Sequence, residues 1–215
     1  MKLHGYWRST AAYRTRIALN LKGIAFEQVS VDLRKGEQAA TPYRRLNAQG
    51  LVPTLEAGGE ALFQSPAIIE WLEERYPTPP LLPTDAAGRA IVRGMAAIIG
   101  CDIHPLNNLR VLNELRDELH ASKAQIDRWI CRWVTEGFEA IEALVGRHGR
   151  GFAFGETPTI ADVYLVPQMY SARRFDVPVE AFPNILAAVA RASALDSFAR
   201  ADPSIQPDAD TPPKR

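Results

Sequence analysis

A proline-rich segment near residue 80 constrains the fold more than any other feature of the sequence. Residues 77–83 read Pro-Thr-Pro-Pro-Leu-Leu-Pro. Proline has no backbone N–H and its ring clashes with the preceding helical turn, so neither a helix nor a central strand can pass through this segment. We therefore predict a domain boundary here, with one domain over residues 1–82 and a second over residues 86–202.

The first domain has the pattern of a mixed α/β fold. Short apolar stretches predict strands over residues 2–6 and 25–33, and a glycine turn at Gly58-Gly59 joins two more strands in a hairpin. Residues 13–22 predict a helix that Gly23 ends. Ser65-Pro66 is typical of a further helix start, with Ser65 as the N-cap. The predicted order is β-α-β, a connecting segment, and β-β-α.

The second domain has the pattern of an all-helical fold. Apolar residues recur at helical spacing over residues 114–145. Thr159 and Asp162 stand three residues apart, which is the spacing of a capping box at the start of a buried helix. Residues 203–215 are rich in proline and aspartate and are predicted to form a flexible tail.

Composition excludes several classes of function. Lys and Arg together number 25 and Asp and Glu number 25, so the net charge of zero gives no general attraction to nucleic acid or to anionic membranes. No stretch approaches the roughly 20 apolar residues that span a bilayer, and the N-terminus lacks the apolar core of a signal peptide. The two cysteines have neither metal-ligand nor redox spacing, so we predict no metal site and a cytoplasmic location.

Several ordered motifs resemble the zeta class of glutathione transferases. The opening segment from Tyr6 to Leu19 is similar to the zeta-class Arg-Ser-Ser-Cys motif, although Ala11 replaces its cysteine. Val52-Pro53-Thr54-Leu55 and residues 64–72 resemble two further motifs of the class, and residues 102–110 resemble its second-domain motif. The resemblance covers nearly the whole chain. It implies an N-terminal thioredoxin-like domain followed by an all-helical glutathione-transferase C-terminal domain, with glutathione as cofactor and a homodimer as the assembly.

The predicted catalytic residues are Ser9 and Thr10. A thiolate is the reactive form of a thiol whose pKa is ordinarily about 8.5, so a hydroxyl donor and a helix N-terminus would both stabilise it. Arg8 or Arg14 could add positive charge. Without the resemblance, Ser9 and Thr10 are more simply read as helix caps; with it, Ser9 is the first choice as the thiolate donor. Because Ala11 is not a cysteine, the sulfur must come from glutathione.

The resemblance also implies how the rest of glutathione would be held. A cis peptide bond at Val52-Pro53 would present Val52 to the cysteinyl part, and Gln64-Ser65 at a helix N-terminus would bind the γ-glutamyl carboxylate. The full set of predicted glutathione-binding residues comprises Ser9, Thr10, Ala11, Gln38, Val52, Pro53, Gln64, Ser65, His104 and Asn108. Gln38 would reach the glycyl end. His104 and Asn108, four residues apart on one predicted helical face, would border the site from this subunit or its partner.

Three arginines, Arg8, Arg110 and Arg174, are the candidates for binding substrate carboxylates, because a guanidinium pairs with a carboxylate through two hydrogen bonds. The family includes isomerases of maleyl dicarboxylic and keto acids, in which the thiolate adds to the cis double bond, rotation follows, and the thiolate leaves. The resemblance implies isomerisation of maleylacetoacetate, or alternatively of maleylpyruvate. A general transferase or haloacid-dehalogenating activity at the same site comes next, and a non-catalytic interaction module is ranked last.

Overall fold

The computed structural model describes residues 1–210. The chain divides into two compact units: Met1–Pro80 joined by the segment that begins at Ala194, and Leu81–Ser193. The chain leaves the first unit inside the proline-rich segment, between Pro80 and Leu81. It returns to that unit after Ser193, whereas the predicted second domain extends to residue 202.

The first unit is built on a four-stranded sheet with strand order β2-β1-β3-β4. Its strands are β1 (Lys2–Gly5), β2 (Glu27–Ser30), β3 (Thr54–Ala57) and β4 (Glu60–Phe63). Strand β1 pairs parallel with β2 and antiparallel with β3, and β4 pairs antiparallel with β3. Leu3 and Leu55, which are paired across β1 and β3, are both fully buried. Together with the helices described next, this mixed sheet forms the predicted thioredoxin-like domain.

Helices α1 (Thr10–Leu21) and α3 (Ser65–Arg75) pack against each other, and the short α2 (Thr41–Leu46) lies in the connection after β2. Helix α1 starts three residues before the predicted position because Ser9 caps it, and Gly23 follows its end with a φ of 66°. Strand β2 is shorter than predicted. The hairpin of β3 and β4 lies where the Gly58-Gly59 turn predicts it, and both glycines have a positive φ.

The second unit is helical. It contains α4 (Ala86–Ala97), α5 (Leu109–Asn113), α6 (Lys123–His148), α7 (Ile160–Arg174) and α8 (Pro183–Ser193). Helix α7 packs against α4 and α8, and α6 packs against α8. The helix predicted over residues 114–145 is interrupted. A π-helical turn covers Glu114–Glu118, and His120 after it has a φ of 52°. Ser122 then caps α6.

The capping box at the start of α7 is present as predicted. The carboxylate of Asp162 accepts hydrogen bonds from the N–H of Thr159 at 2.8 Å and from the N–H of Ala153 at 2.7 Å. Asp162 is 1 % exposed. Burial raises the pKa of Asp162 to about 6, and the hydrogen bonds that it accepts oppose this rise.

Residues 203–210, which are part of the predicted flexible tail, form specific contacts in the structure. Residues Pro203–Ile205 form a 3-10 turn, and α9 (Asp196–Ala199) before it packs against α1. The buried side chain of Gln206 donates to the carbonyls of Arg200 and Asp202, which closes the segment on itself. Both aspartates of this segment accept hydrogen bonds from other parts of the first unit, Asp208 from Trp7 and Asp210 from Arg34, which composition could not indicate. The last predicted tail residues, 211–215, lie outside the described part of the chain.

Within residues 1–210, no helix is both long enough and apolar enough to cross a membrane.

Candidate active site

Four loops of the first unit meet at one edge of the sheet. The register aligns His4 of β1 with Thr54 of β3 and Thr54 with Phe63 of β4, so the end of β1, the start of β3 and the end of β4 share this edge. The end of the parallel strand β2 lies there too. The edge therefore gathers the predicted segments Arg8–Ala11, Val52–Pro53 and Gln64–Ser65, together with the loop that leads to Gln38.

Ser9 is the N-cap of α1, and Thr10 is its first residue. The Ser9 hydroxyl accepts a hydrogen bond from the N–H of Ala12 at 3.2 Å. Ser9 is half-buried and Thr10 is 6 % exposed. A hydroxyl that accepts from the helix can still donate its own proton, so the capping geometry and the predicted donation to a thiolate are compatible. The partial positive charge of the helix N-terminus acts at the same place.

A second helix N-terminus lies at the same edge and is backed by a buried arginine. Ser65 begins α3 and is 4 % exposed, and Arg14 of α1, 2 % exposed, donates from Nη1 to the Ser65 hydroxyl at 3.5 Å. The prediction that Ser65 is the N-cap is wrong by one residue: Gln64 takes that position with a φ of 66°. A positive φ is uncommon for residues other than glycine and, where it occurs, is typical of binding sites.

The Val52–Pro53 peptide bond is cis and immediately precedes β3. Gln38 lies in a 3-10 turn over Glu37–Ala39. Its backbone carbonyl would lie 2.9 Å from a side chain at Gly50, whose φ of 65° also favours glycine. The Oε1 atom of Gln38 is buried and accepts no hydrogen bond from the described residues.

Arg8 lies over two aromatic rings beside the start of α1. Its guanidinium carbon is 5.4 Å from the centre of the Trp7 ring and 6.0 Å from that of Tyr6. Stacking of this kind holds the plane of a guanidinium while leaving its N–H groups available at the edges. Within residues 1–210, Arg8 forms no ion pair with a carboxylate.

The remaining predicted residues belong to the second unit, and there the predicted helical face is wrong. His104 follows a π-helical turn over Ile98–Ile103, and the chain then forms a 3-10 turn before it becomes extended at Asn108. Asn108 caps α5 by accepting from the N–H of Arg110 at 3.1 Å. Pro105 blocks a continuous helix because it has no N–H to donate, so the spacing of four does not place His104 and Asn108 on one helical face.

Arg110 and Arg174 lie on different helices of this unit. Arg110 is exposed in the first turn of α5. Arg174 is exposed at the end of α7, where its guanidinium carbon is 4.3 Å from the centre of the Phe175 ring.

Two residues of the first unit make contacts at the candidate site that the sequence analysis did not predict. Arg14 was considered for its charge, yet it contacts Ser65 directly. Asp208 was not considered as a site residue, yet it accepts a hydrogen bond from the N–H of Trp7 at 3.0 Å. The position of Arg14 on the buried face of α1 could have indicated its contact with Ser65. The contact of Asp208 with Trp7 spans 201 positions, so no local pattern indicates it.

Among residues 1–210, no group of three or more His, Cys, Asp or Glu side chains could hold a metal ion.

Comparison with known proteins identifies the family. Residues 8–75 match the glutathione S-transferase N-terminal domain. The chain is 53% identical over 211 residues to a maleylpyruvate isomerase of Ralstonia sp, which covers 97% of this chain and 99% of the relative. It is 50% identical over 211 residues to a maleylacetoacetate isomerase of Pseudomonas aeruginosa, covering 97% and 98% of the two chains.

Comparison with solved structures gives the same family as the comparison of sequences. A holo structure of a maleylpyruvate isomerase, described as a bacterial glutathione-S-transferase in the zeta class, superposes with a TM-score of 0.95 at 52% identity and covers 97% of this chain and 100% of that chain. A maleylacetoacetate isomerase from Methylobacterium extorquens AM1, with bound malonate and glutathione, has a TM-score of 0.94 at 36% identity and covers 98% and 100%. By sequence identity and by fold, this chain belongs to the zeta class of the glutathione transferase and maleylacetoacetate isomerase family.

Proposed function

We propose that this protein is a glutathione-dependent cis–trans isomerase of maleyl compounds. The observation that carries the proposal is the sheet edge where two helix N-termini, the buried Arg14 and the stacked Arg8 converge. Such an edge favours anions in several adjacent positions, as a thiolate and carboxylates require. The zeta-class relatives support both the cofactor and the reaction, since related structures hold glutathione and the dicarboxylate malonate.

The residues of this edge fit glutathione. Gln64-Ser65 at the start of α3, with Arg14 behind Ser65, offer N–H and O–H donors to a carboxylate. The Oε1 atom of Gln38 is a buried acceptor without a protein donor among the described residues, which suits an amide N–H of the bound tripeptide. We assign the backbone of Val52 beside Pro53 to the cysteinyl part. His104 and Asn108 stay candidates for bordering the site.

Glutathione, when bound, supplies the thiolate that adds reversibly to the double bond and so permits rotation about it. Ser9 donates its hydroxyl hydrogen to the sulfur and, with the N-terminus of α1, favours the charged form. Thr10 is the alternative donor, one residue further along. Arg8 pairs with a substrate carboxylate and stabilises negative charge that develops on the adjacent carbonyl. Arg110 and Arg174 are proposed for the other carboxylate.

Maleylacetoacetate is the substrate that we put first, and its product would be fumarylacetoacetate in aromatic amino-acid catabolism. Maleylpyruvate is the second candidate, favoured by the 53% identity to the Ralstonia enzyme. Both compounds carry the same maleyl end, so the arginines serve either. Comparing kcat/KM for the two compounds on one enzyme preparation ranks them.

The direct test mixes purified protein with glutathione and each maleyl compound and follows the fumaryl product. We expect turnover that requires glutathione and that S-methylglutathione, which has no free thiol, inhibits without replacing it. Absence of turnover with both compounds would refute the proposal. Turnover with S-methylglutathione as the sole cofactor would refute the assigned role of the thiolate.

We further propose a homodimer and a cytoplasmic location, where the reducing glutathione pool is available. Light scattering coupled to size-exclusion chromatography measures the mass of the assembly and so tests the homodimer. A mass of one 23.8 kDa chain would contradict it.

A further inference from the structure

We propose that Asp208 is a positioning residue that holds the Trp7–Arg8 loop and thereby sets the affinity for the dicarboxylate substrate. This inference rests on the proposed function, in which Arg8 binds a substrate carboxylate. It starts from the segment after Ala194, whose described residues are part of the first unit.

Asp208 binds three residues from two elements at the active edge of the sheet. Its Oδ2 atom accepts from the N–H of Trp7 at 3.0 Å and from the hydroxyl of Ser30 at 3.1 Å. Its Oδ1 atom accepts from Nε2 of Gln28 at 3.1 Å. Hydrogen bonds to an ionised acceptor are stronger than those between neutral groups. Asp208 thus fixes the loop after β1 to the end of β2.

The same loop is held from its other side. The carbonyl of Trp7 accepts from Nη2 of Arg16 at 2.9 Å, and Nε of Arg16 donates to the carbonyl of Ala201 at 3.0 Å. The Arg16 side chain is buried, at 1 % exposed. The N–H and the C=O of Trp7 are therefore both bound by groups that the chain end supplies or orients. The chain end itself is fixed by Gln206, which donates to two carbonyls within it.

The orientation of Trp7 governs where Arg8 can point. The Arg8 guanidinium stacks on the Trp7 and Tyr6 rings, so a rotation of the Trp7 backbone would move this stacking surface. Displacement by about 1 Å is enough to weaken a positioned contact severely. Ser9 has a further anchor, because its N–H donates to the carbonyl of Tyr6 at 2.9 Å and its carbonyl accepts from Tyr13 at 2.8 Å. Loss of Asp208 should therefore affect Arg8 more than Ser9.

The test compares Asp208→Ala with Asp208→Asn and with Asp210→Ala. Asparagine keeps one acceptor oxygen for the Trp7 N–H, so it should restore function. Asp210 lies two residues away and pairs with Arg34 instead of the Trp7 loop, which makes it the matched control. We expect Asp208→Ala to raise KM for the maleyl substrate about tenfold, with kcat and glutathione affinity within about twofold of wild type. We expect Asp208→Asn and Asp210→Ala to stay near wild type.

Amide hydrogen exchange at Trp7 gives a reading that does not depend on turnover. We expect faster exchange in Asp208→Ala and unchanged exchange in Asp210→Ala. Binding of maleate in the presence of S-methylglutathione, measured by calorimetry, should weaken in parallel. If the wild type turns over neither maleyl compound, the proposed function fails, while exchange and maleate binding still decide the role of Asp208.

Three outcomes would overturn the proposal: an unchanged KM in Asp208→Ala, an equal rise in Asp210→Ala, or a parallel loss of glutathione affinity, which would mean general loosening of the unit. If Asp208→Ala is insoluble, Asp208→Glu takes its place. It keeps the charge and shifts the carboxylate by one methylene, and an unchanged KM in that variant would also overturn the proposal.

Discussion

At the scale of single residues, Ser9 combines a structural and a chemical part in one hydroxyl group. It caps α1 through the N–H of Ala12 and is the proposed donor to the thiolate. The two parts can be separated because glycine is also a favourable N-cap residue but has no side chain that can donate a hydrogen bond. A variant series at this position therefore distinguishes the cap from the chemistry.

We expect Ser9→Ala to lower the free energy of unfolding by about 1 kcal/mol and Ser9→Gly to lower it by only a few tenths of a kcal/mol. Both variants should lose about 100-fold in kcat, as is typical when one donor to a developing anion is removed. Urea unfolding and the pH titration of thiolate absorbance in the glutathione complex measure the two effects. Full activity in Ser9→Gly would shift the assignment to Thr10, which Thr10→Val then tests.

Arg8 allows a second test at this scale. We expect Arg8→Lys to raise KM for the maleyl substrate about tenfold, because lysine keeps the charge but loses the planar fork and its stacking on Trp7. Steady-state kinetics measure the change, and Arg173→Lys, at an exposed position, is the matched control. A wild-type KM in Arg8→Lys would mean that charge without planar geometry is sufficient.

The sequence identifies residues whose roles follow from local position and misses those that depend on distant contacts. Ser9 could be predicted as a helix cap because it precedes the apolar run of α1. The placement of Ser65 was wrong by one residue, since the conformation of Gln64 is set by the sheet edge and not by a local capping preference. Asp208 could not be predicted, because its partners Trp7, Gln28 and Ser30 are brought to it by the fold.

At the scale of secondary-structure elements, the start of α7 depends on a buried carboxylate whose protonation differs between the folded and unfolded protein. Burial raises the pKa of Asp162 from 3.8 to about 6 in the folded state. The folded state therefore binds more protons than the unfolded state between these two values. The stabilising contribution is complete below the unfolded pKa and is lost as the pH rises through about 6.

Comparison with Asp162→Asn isolates this contribution, because the amide does not titrate and other carboxylates are common to both proteins. We expect the difference in free energy of unfolding between wild type and variant to fall by about 2 kcal/mol from pH 4 to pH 7. Urea unfolding at unit steps of pH measures it. A difference that stays constant or grows over this range would contradict the raised pKa.

The periodicity of apolar residues is not sufficient to locate the ends of the helices. Apolar spacing predicts one helix over residues 114–145, but the chain turns between Leu119 and Ser122. Ser122 and Gln125 form a capping box, which restarts the helix and is itself readable from the sequence. At residues 104–108 the signal was Pro105, whose missing N–H outweighs the spacing of its neighbours.

At the scale of the whole molecule, the described residues after Ser193 belong to the same unit as the N-terminal residues. Phe198 of α9 is fully buried, and Arg16 of α1 donates to the carbonyl of Ala201. The division at the proline-rich segment was readable from the sequence. The return after Ser193 was not, because residues 194–202 continue the helical pattern of the predicted second domain and nothing in their sequence indicates the unit against which they pack.

A variant that ends at Ser193 tests this arrangement. We expect faster amide hydrogen exchange in peptides of α1 and β1, with peptides of α6 and α7 largely unchanged, because the segment removed belongs to the first unit. The milder variant Phe198→Ala should lower the free energy of unfolding by about 3–5 kcal/mol. Equal loss of protection in both units would contradict the division described here.

The return of the chain end also sets an order of events during synthesis. Domains generally form from the N-terminus as the polypeptide emerges from the ribosome. Here Trp7 is translated 201 residues before its partner Asp208. The Trp7 loop therefore cannot acquire this anchor until Asp208 itself has been translated, so a nascent chain stalled before Asp208 would carry an incomplete site however long it waits.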